Sequence, residues 1–176
     1  MLSYREYITH AEKHLLLAEY EVEDGKDATW LLIPSIVLAW ASIESFVNNI
    51  LDDFSALPDG IFELHERAFL LEKKLKLEDS GDKIGQFVLE GSEYHRIEDK
   101  IFFLVAKFSS TNQTIKKGDT LWGKFQEFKT IRDNLVHPRR GMIVPLSTKK
   151  IAGYIDTAKS IIRLLSYHVW GKEIEF

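Results

Sequence analysis

Three histidines in this 176-residue chain follow an arginine five positions earlier: Arg5/His10, Arg132/His137 and Arg163/His168. A guanidinium and an imidazole in one site suit phosphate chemistry. The first grips anionic oxygens with a fixed fork of donors, and the second moves protons near neutral pH. Three matches make the spacing itself uninformative. Helical geometry separates them, because each residue turns about 100° around the axis. Between Asp119 and Val136 the residues Leu121, Phe125, Phe128, Ile131, Leu135 and Val136 mark one apolar face. Arg132 falls within roughly 20° of its centre. Arg5 lies about 100° from the stripe centred near Tyr4 and Leu15. Arg163 lies about 120° from the stripe of Ile151, Tyr154, Ile155, Ala158, Ile162 and Val169. Only Arg132 sits where arginine is out of place.

A guanidinium on an apolar face cannot shed its proton, so it must find anions or water. Glu44, stranded in the apolar run Ala41-Ser42-Ile43-Glu44-Ser45-Phe46, is a candidate partner. Two readings follow from that. The pair is either a buried ion pair that only fixes two helices, or the arginine faces a cleft or a second subunit and takes a phosphate. On an unbroken helix Arg132 and His137 point about 140° apart and cannot converge within one chain. His137 precedes Pro138, however, which disfavours helical backbone there and frees the histidine from the helical path. Asp133, four residues earlier and on the same side, is placed to orient the ring. A histidine at a helix C-terminus also serves simply to answer the helix dipole. A zinc site on His10 and His14 lacks a carboxylate on that face. Serine catalysis lacks a glycine turn, and the chain has no cysteine. No metal or other cofactor is expected.

The elements that hold these residues read as helices. The first runs from about Ser3 to Glu23 and stops at Gly25. The second, from about Thr29 to Phe54, is apolar on nearly all sides, as in the middle of a bundle. A third spans about Ile61 to Leu77, followed by a loose stretch to Ser92, and a fourth covers Glu93 to Phe108. After a polar loop, the fifth runs from Asp119-Thr120 to Val136. A short extended piece near Met142-Ile143-Val144 precedes the last helix, which is capped by Ser147/Thr148 and ends near Trp170. The expectation is an all-α, antiparallel bundle of five to six helices forming a single domain over residues 1–176.

With 45% hydrophobic and 28% charged residues, the composition is globular rather than disordered. Charge near the amino terminus argues against a secretory signal. The apolar segment Trp30 to Phe46 is interrupted and reads as a core helix too short for a bilayer. A soluble cytoplasmic protein with no membrane partner is expected. Between Lys116 and Lys150 nine basic residues face three acidic ones, a local +6 that leaves −10 on the rest of a chain of net charge −4. Such asymmetry suits an anionic partner at one region, although solvated helix faces also segregate charge.

The segment Arg132-Asp133-Asn134-Leu135-Val136-His137 resembles the signature of the HEPN superfamily: arginine, a polar residue, then histidine after four to six positions at the end of a late helix. The run Ala39 to Ile50, with Glu44, Asn48 and Asn49, is similar to the apolar Glu/Asn-bearing helix of such bundles. The resemblance implies a HEPN-like bundle that cleaves RNA without metal as a homodimer, two motifs lining one cleft. It implies His137 as general acid or base and Arg132 as the phosphate-holding residue, with Asp133 orienting one of them. Glu44 and Asn134 would support the site, and Lys129, Arg139 and Arg140 would follow the RNA backbone. Relatives include toxins held by an antitoxin and phage-defence effectors, so an antitoxin or regulatory protein is an expected partner; DNA is not. The alternative is a non-catalytic HEPN-like module for protein interaction or nucleotide binding.

Overall fold

The computed structural model describes residues 2–58, 60–109, 115–116, 118–138, 140 and 144–176. Among these the chain is mostly helical, with six α-helices and one small two-stranded sheet. Residues 1–46 and 102–176 form one compact unit, and residues 47–101 form another.

In the first unit, α1 (Tyr4–Glu23) opens with a capping box. The Glu6 N–H donates to Ser3 Oγ at 3.3 Å, and the Ser3 N–H donates to Glu6 Oε2 at 2.7 Å. Ile8, Ala11, Leu15 and Ala18 recur at helical spacing and are buried. The helix ends where Gly25, at φ +76°, turns the chain left-handed. The Gly25 and Lys26 N–H groups then donate to the Val22 and Glu21 carbonyls.

Helix α2 (Thr29–Ser55) supplies the centre of the core: Ile36, Ala39, Trp40 and Ile43 are all but inaccessible to water. Ser35 Oγ donates to the Ala11 carbonyl at 2.8 Å, tying α2 to α1. The expectation of a segment too short for a bilayer is corrected here. α2 is 27 residues long and apolar enough, by length and composition, to cross a membrane, and 56% of its most apolar window is buried inside the protein. It continues through Pro34, its sixth residue, which has no N–H to give the Trp30 carbonyl and so removes one rung of the hydrogen-bond ladder.

Helices α5 (Thr120–Val136) and α6 (Thr148–Trp170) complete the unit, and α6 packs against both α1 and α5. Ser147 caps α6 by accepting from the Lys150 N–H at 3.4 Å, and Gly171 closes it at φ +65°. An aromatic ladder joins the helices. Trp40 stacks on Phe125 and meets Phe128 edge-on, both at 5.3 Å, and Phe128 stacks on Tyr154 at 5.1 Å.

The second unit departs from expectation. The helix expected over Ile61 to Leu77 is only α3 (Leu64–Leu70), and the loose stretch to Ser92 holds a hairpin of β1 (Lys74–Leu77) and β2 (Phe87–Glu90). The reason is Glu72 at φ +49°. With the Glu72 N–H bonded to the Phe69 carbonyl and the Lys73 N–H to that of Ala68, α3 ends in the same left-handed turn as α1. Helix α4 (Ile97–Phe108) starts four residues later than Glu93, whose N–H instead donates to the Glu72 carbonyl at 2.8 Å. The expected extended piece at Met142 and Ile143 lies outside the described residues.

Tyr154 reports on the α5–α6 seam. Its hydroxyl donates to Glu127 Oε1 at 2.9 Å, and burial, reinforced by that carboxylate, pushes its pKa up to about 12 from the usual 10.0. Between those values an unfolded chain releases the proton while the folded one keeps it. The contribution is therefore intact below pH 10 and lost as pH rises towards 12. The urea midpoint should fall through this window more steeply in wild type than in Tyr154→Phe; equal slopes would refute the assignment.

Candidate functional site

The candidate site is built where the last two turns of α5 pass α2. Phe125 and Phe128 are fully buried, but Ile131 and Leu135 are only half-buried, so the apolar face of α5 opens towards its C-terminal end. Arg132 occupies that opening with a side chain 24% exposed. Its Nη2–H donates to Glu44 Oε1 at 3.4 Å, and its Nη1–H donates to Asp133 Oδ1 at 2.8 Å. The guanidinium carbon lies 5.5 Å from the centre of the Trp40 ring. Trp40 also donates from Nε1 to Glu44 Oε1 at 2.7 Å. One indole thus orients the carboxylate and offers its π-face to the cation that the carboxylate holds.

This arrangement leaves the arginine unsaturated. A guanidinium has five N–H donors, and the two carboxylates take one from each terminal nitrogen. Nε is buried and has no hydrogen-bond partner among the described residues. The remaining terminal donors are the ones an anion could use, at a group already fixed in orientation. Against this stands charge: Glu44 and Asp133 flank a single cation, so an incoming phosphate meets a guanidinium that is already neutralised.

His137 terminates the helix as expected before proline. Its backbone leaves the helical region at φ −123° and ψ 63°, with its N–H on the Asp133 carbonyl at 2.8 Å. The ring is exposed and makes no side-chain hydrogen bond among the described residues. Of the two side chains Asp133 was expected to orient, its carboxylate holds Arg132 and not the His137 ring; His137 meets Asp133 only through its own N–H on the backbone carbonyl. Asn134 is half-buried beside them, with no side-chain hydrogen bond among the described residues. Lys129 is half-buried one turn earlier, Arg140 is exposed beyond Pro138, and Arg139 lies outside the described residues.

The structure therefore brings Arg132, Asp133 and Glu44 together and leaves the exposed His137 ring outside that cluster. Sequence reasoning did not single out Trp40, which is buried in the core as well as part of this cluster. The available signal was its position four residues before Glu44, which puts both on one helix face.

The other two arginine–histidine spacings show different surroundings. Arg5 bonds the Tyr4 hydroxyl at 3.1 Å, and Arg163 bonds the Ile174 carbonyl at 3.3 Å. His168 lines a cavity of about 140 Å³ with Asp119, Trp122, Ile161 and Leu164, and no Arg132-cluster side chain lines it. Among the described residues no three of His, Asp and Glu gather as a metal ion would need.

No family model, no curated protein and no solved structure matches the chain.

The Arg132–Glu44 pair is partly exposed, which limits its strength. A double-mutant cycle of Arg132→Met and Glu44→Gln should give a coupling of about 1 kcal/mol in urea unfolding. Additive effects would show that the two side chains do not act together.

Proposed function

We propose that this chain is a metal-independent endoribonuclease of the HEPN type, acting as a homodimeric helical bundle whose two motifs share one cleft. The observation that carries the reading is the end of α5. A pre-oriented, partly exposed guanidinium with unused donors stands five residues before an exposed histidine released from the helix by Pro138. Cleavage of RNA through its own 2′-hydroxyl can run on those two functions without a bound ion.

In this reading His137 removes the proton from a ribose 2′-hydroxyl. The 2′-oxygen then bonds to phosphorus, and the bond to the 5′-oxygen breaks. The leaving oxygen takes a proton from a protonated imidazole, the partner's His137 in a shared cleft. The products are a 2′,3′-cyclic phosphate and a 5′-hydroxyl. Arg132 holds the non-bridging oxygens as their charge grows, Asp133 and Glu44 keep it in place, and Asn134 supports the turn. Lys129, Arg139 and Arg140 add positive charge for the RNA backbone. Such an enzyme works in the cytoplasm and needs restraint by an antitoxin or another regulatory protein.

A second reading, a non-catalytic interaction module, is favoured by one specific observation. Two carboxylates of the same chain already engage Arg132, which suffices to explain an arginine on an apolar face.

Purified protein incubated with RNA in EDTA separates the two. The ribonuclease reading requires cleavage by wild type and a loss of about 100-fold or more in His137→Ala, with folding unchanged. Cleavage that survives in His137→Ala removes the histidine from the mechanism. No cleavage by wild type, together with a marked drop in melting temperature in Arg132→Ala, supports the interaction module.

A further inference from the structure

The hairpin of the second unit pairs Lys74 with Glu90, Leu75 with Leu89, Lys76 with Val88 and Leu77 with Phe87. Directly opposed residues share a face, so Leu75, Leu77, Phe87 and Leu89 make one face wholly apolar. Water reaches much of it: Leu75, Leu77 and Phe87 are 39%, 52% and 57% exposed. A two-stranded ribbon is marginal by itself and gains from added strands. β1 also offers an open edge. The Glu78 N–H points inward to the Gln86 carbonyl at 2.9 Å. By the alternation of an antiparallel ladder, Leu75 and Leu77 then turn their backbone groups outward. No backbone hydrogen bond among the described residues meets them there.

We propose that β1 pairs antiparallel with β1 of a second copy of this chain, forming a four-stranded sheet. Charge along the edge identifies the occupant. β1 and its flanks read Lys73-Lys74-Leu75-Lys76-Leu77-Glu78-Asp79, basic at one end and acidic at the other. An edge of this polarity complements itself when reversed. Only registers that keep the apolar faces together are acceptable, and the one centred on Lys76 fits best. It sets Lys73 against the partner's Asp79, Lys74 against the partner's Glu78 and Leu75 against the partner's Leu77, each twice by symmetry. It also pairs the outward-facing backbone groups of Leu75 and Leu77 with each other. Centring on Leu75 instead sets Lys74 against the partner's Lys76; centring on Leu77 sets Leu75 against the partner's Asp79. At the two-fold axis the two Lys76 side chains meet, but each is already held by Glu90 of its own hairpin at 3.0 Å. Lysines on an edge strand ordinarily prevent indiscriminate pairing; here they admit one register and reject its neighbours.

This inference concerns association, independently of whether the chain cuts RNA, and neither Lys74 nor Glu78 belongs to the Arg132 cluster. The test is sedimentation velocity on the full chain from roughly 1 to 300 µM, the range of a small interface. Wild type should show a monomer–dimer equilibrium. Lys74→Glu and Glu78→Lys should each weaken it at least about tenfold, because each creates two like-charge pairs across the axis. An equimolar mixture of the two variants should dimerise again, since lysine then faces glutamate at every such position. Lys74→Glu also faces Glu90 of its own hairpin, so the mixture is the decisive measurement. Glu78→Lys, which within its own hairpin gives up a 3.4 Å hydrogen bond from Ser80 and an attraction to Lys76, must weaken association by itself. A monomeric wild type, a dimer indifferent to Glu78→Lys, or a mixture that fails to recover would each overturn the proposal. RNA cleavage, assayed on the same samples, reports separately on the ribonuclease reading.

Discussion

A guanidinium cannot be neutralised by losing its proton, so an arginine on the core-facing side of a helix dictates what surrounds it. Around Arg132 that constraint shapes the seam between α2 and α5. Glu44 must stand opposite despite lying in an apolar helix, and Trp40 must turn its N–H to Glu44 and its ring to the cation. The α5 face must also stay open enough at its end for one quarter of the arginine side chain to reach water. The same indole stacks on Phe125 and touches Phe128, which stacks on Tyr154 of α6. The polar cluster is therefore rooted in the aromatic core of its unit. A change in Trp40 would disturb packing and electrostatics together, and the two effects could not be treated as additive.

How much of this was legible in the sequence depended on whether a residue type announced its own role. Gly25 and Glu72 occupy equivalent left-handed positions at the ends of α1 and α3, with the same pair of backbone hydrogen bonds. Glycine signals that turn because it pays no steric penalty there. Glutamate does not, so α1 was read to within a residue while α3 was extended through the turn. The hairpin was hidden for a related reason: its four-residue strands are exposed along all of β1, so no burial pattern marks them. Leu71 and Leu75 even continue a plausible helical spacing.

The site divides in the same way. Arg132 and Glu44 were visible because charge on an apolar face is a contradiction that demands a partner. The end of α5 at His137 was visible because proline constrains the residue before it. Trp40 was not, since a tryptophan in an apolar helix already has a sufficient explanation. For Asp133 helical spacing pointed to His137 and the family resemblance to either His137 or Arg132; its carboxylate meets Arg132. Side-chain reach let it close on Arg132 first, and a carboxylate prefers a permanent cation to an imidazole that is charged only part of the time.

That preference bears on what the end of α5 can do. The two carboxylates fix the arginine and offset its charge, so the cluster gains rigidity and gives up attraction for anions. A rigid guanidinium is useful to a reaction whose negative charge grows only in the transition state, because unused donors then meet charge where it develops. It is of little use for tight binding of a ground-state phosphate. That balance is what the proposed cleavage reaction would use, and it gives little to the holding of a ground-state nucleotide. His137 differs: it is exposed, its ring makes no hydrogen bond among the described residues, and in the proposed reaction a substrate or a second subunit would place it. One residue arrives organised and the other does not. In the proposed ribonuclease, ordering that histidine would fall to the second subunit.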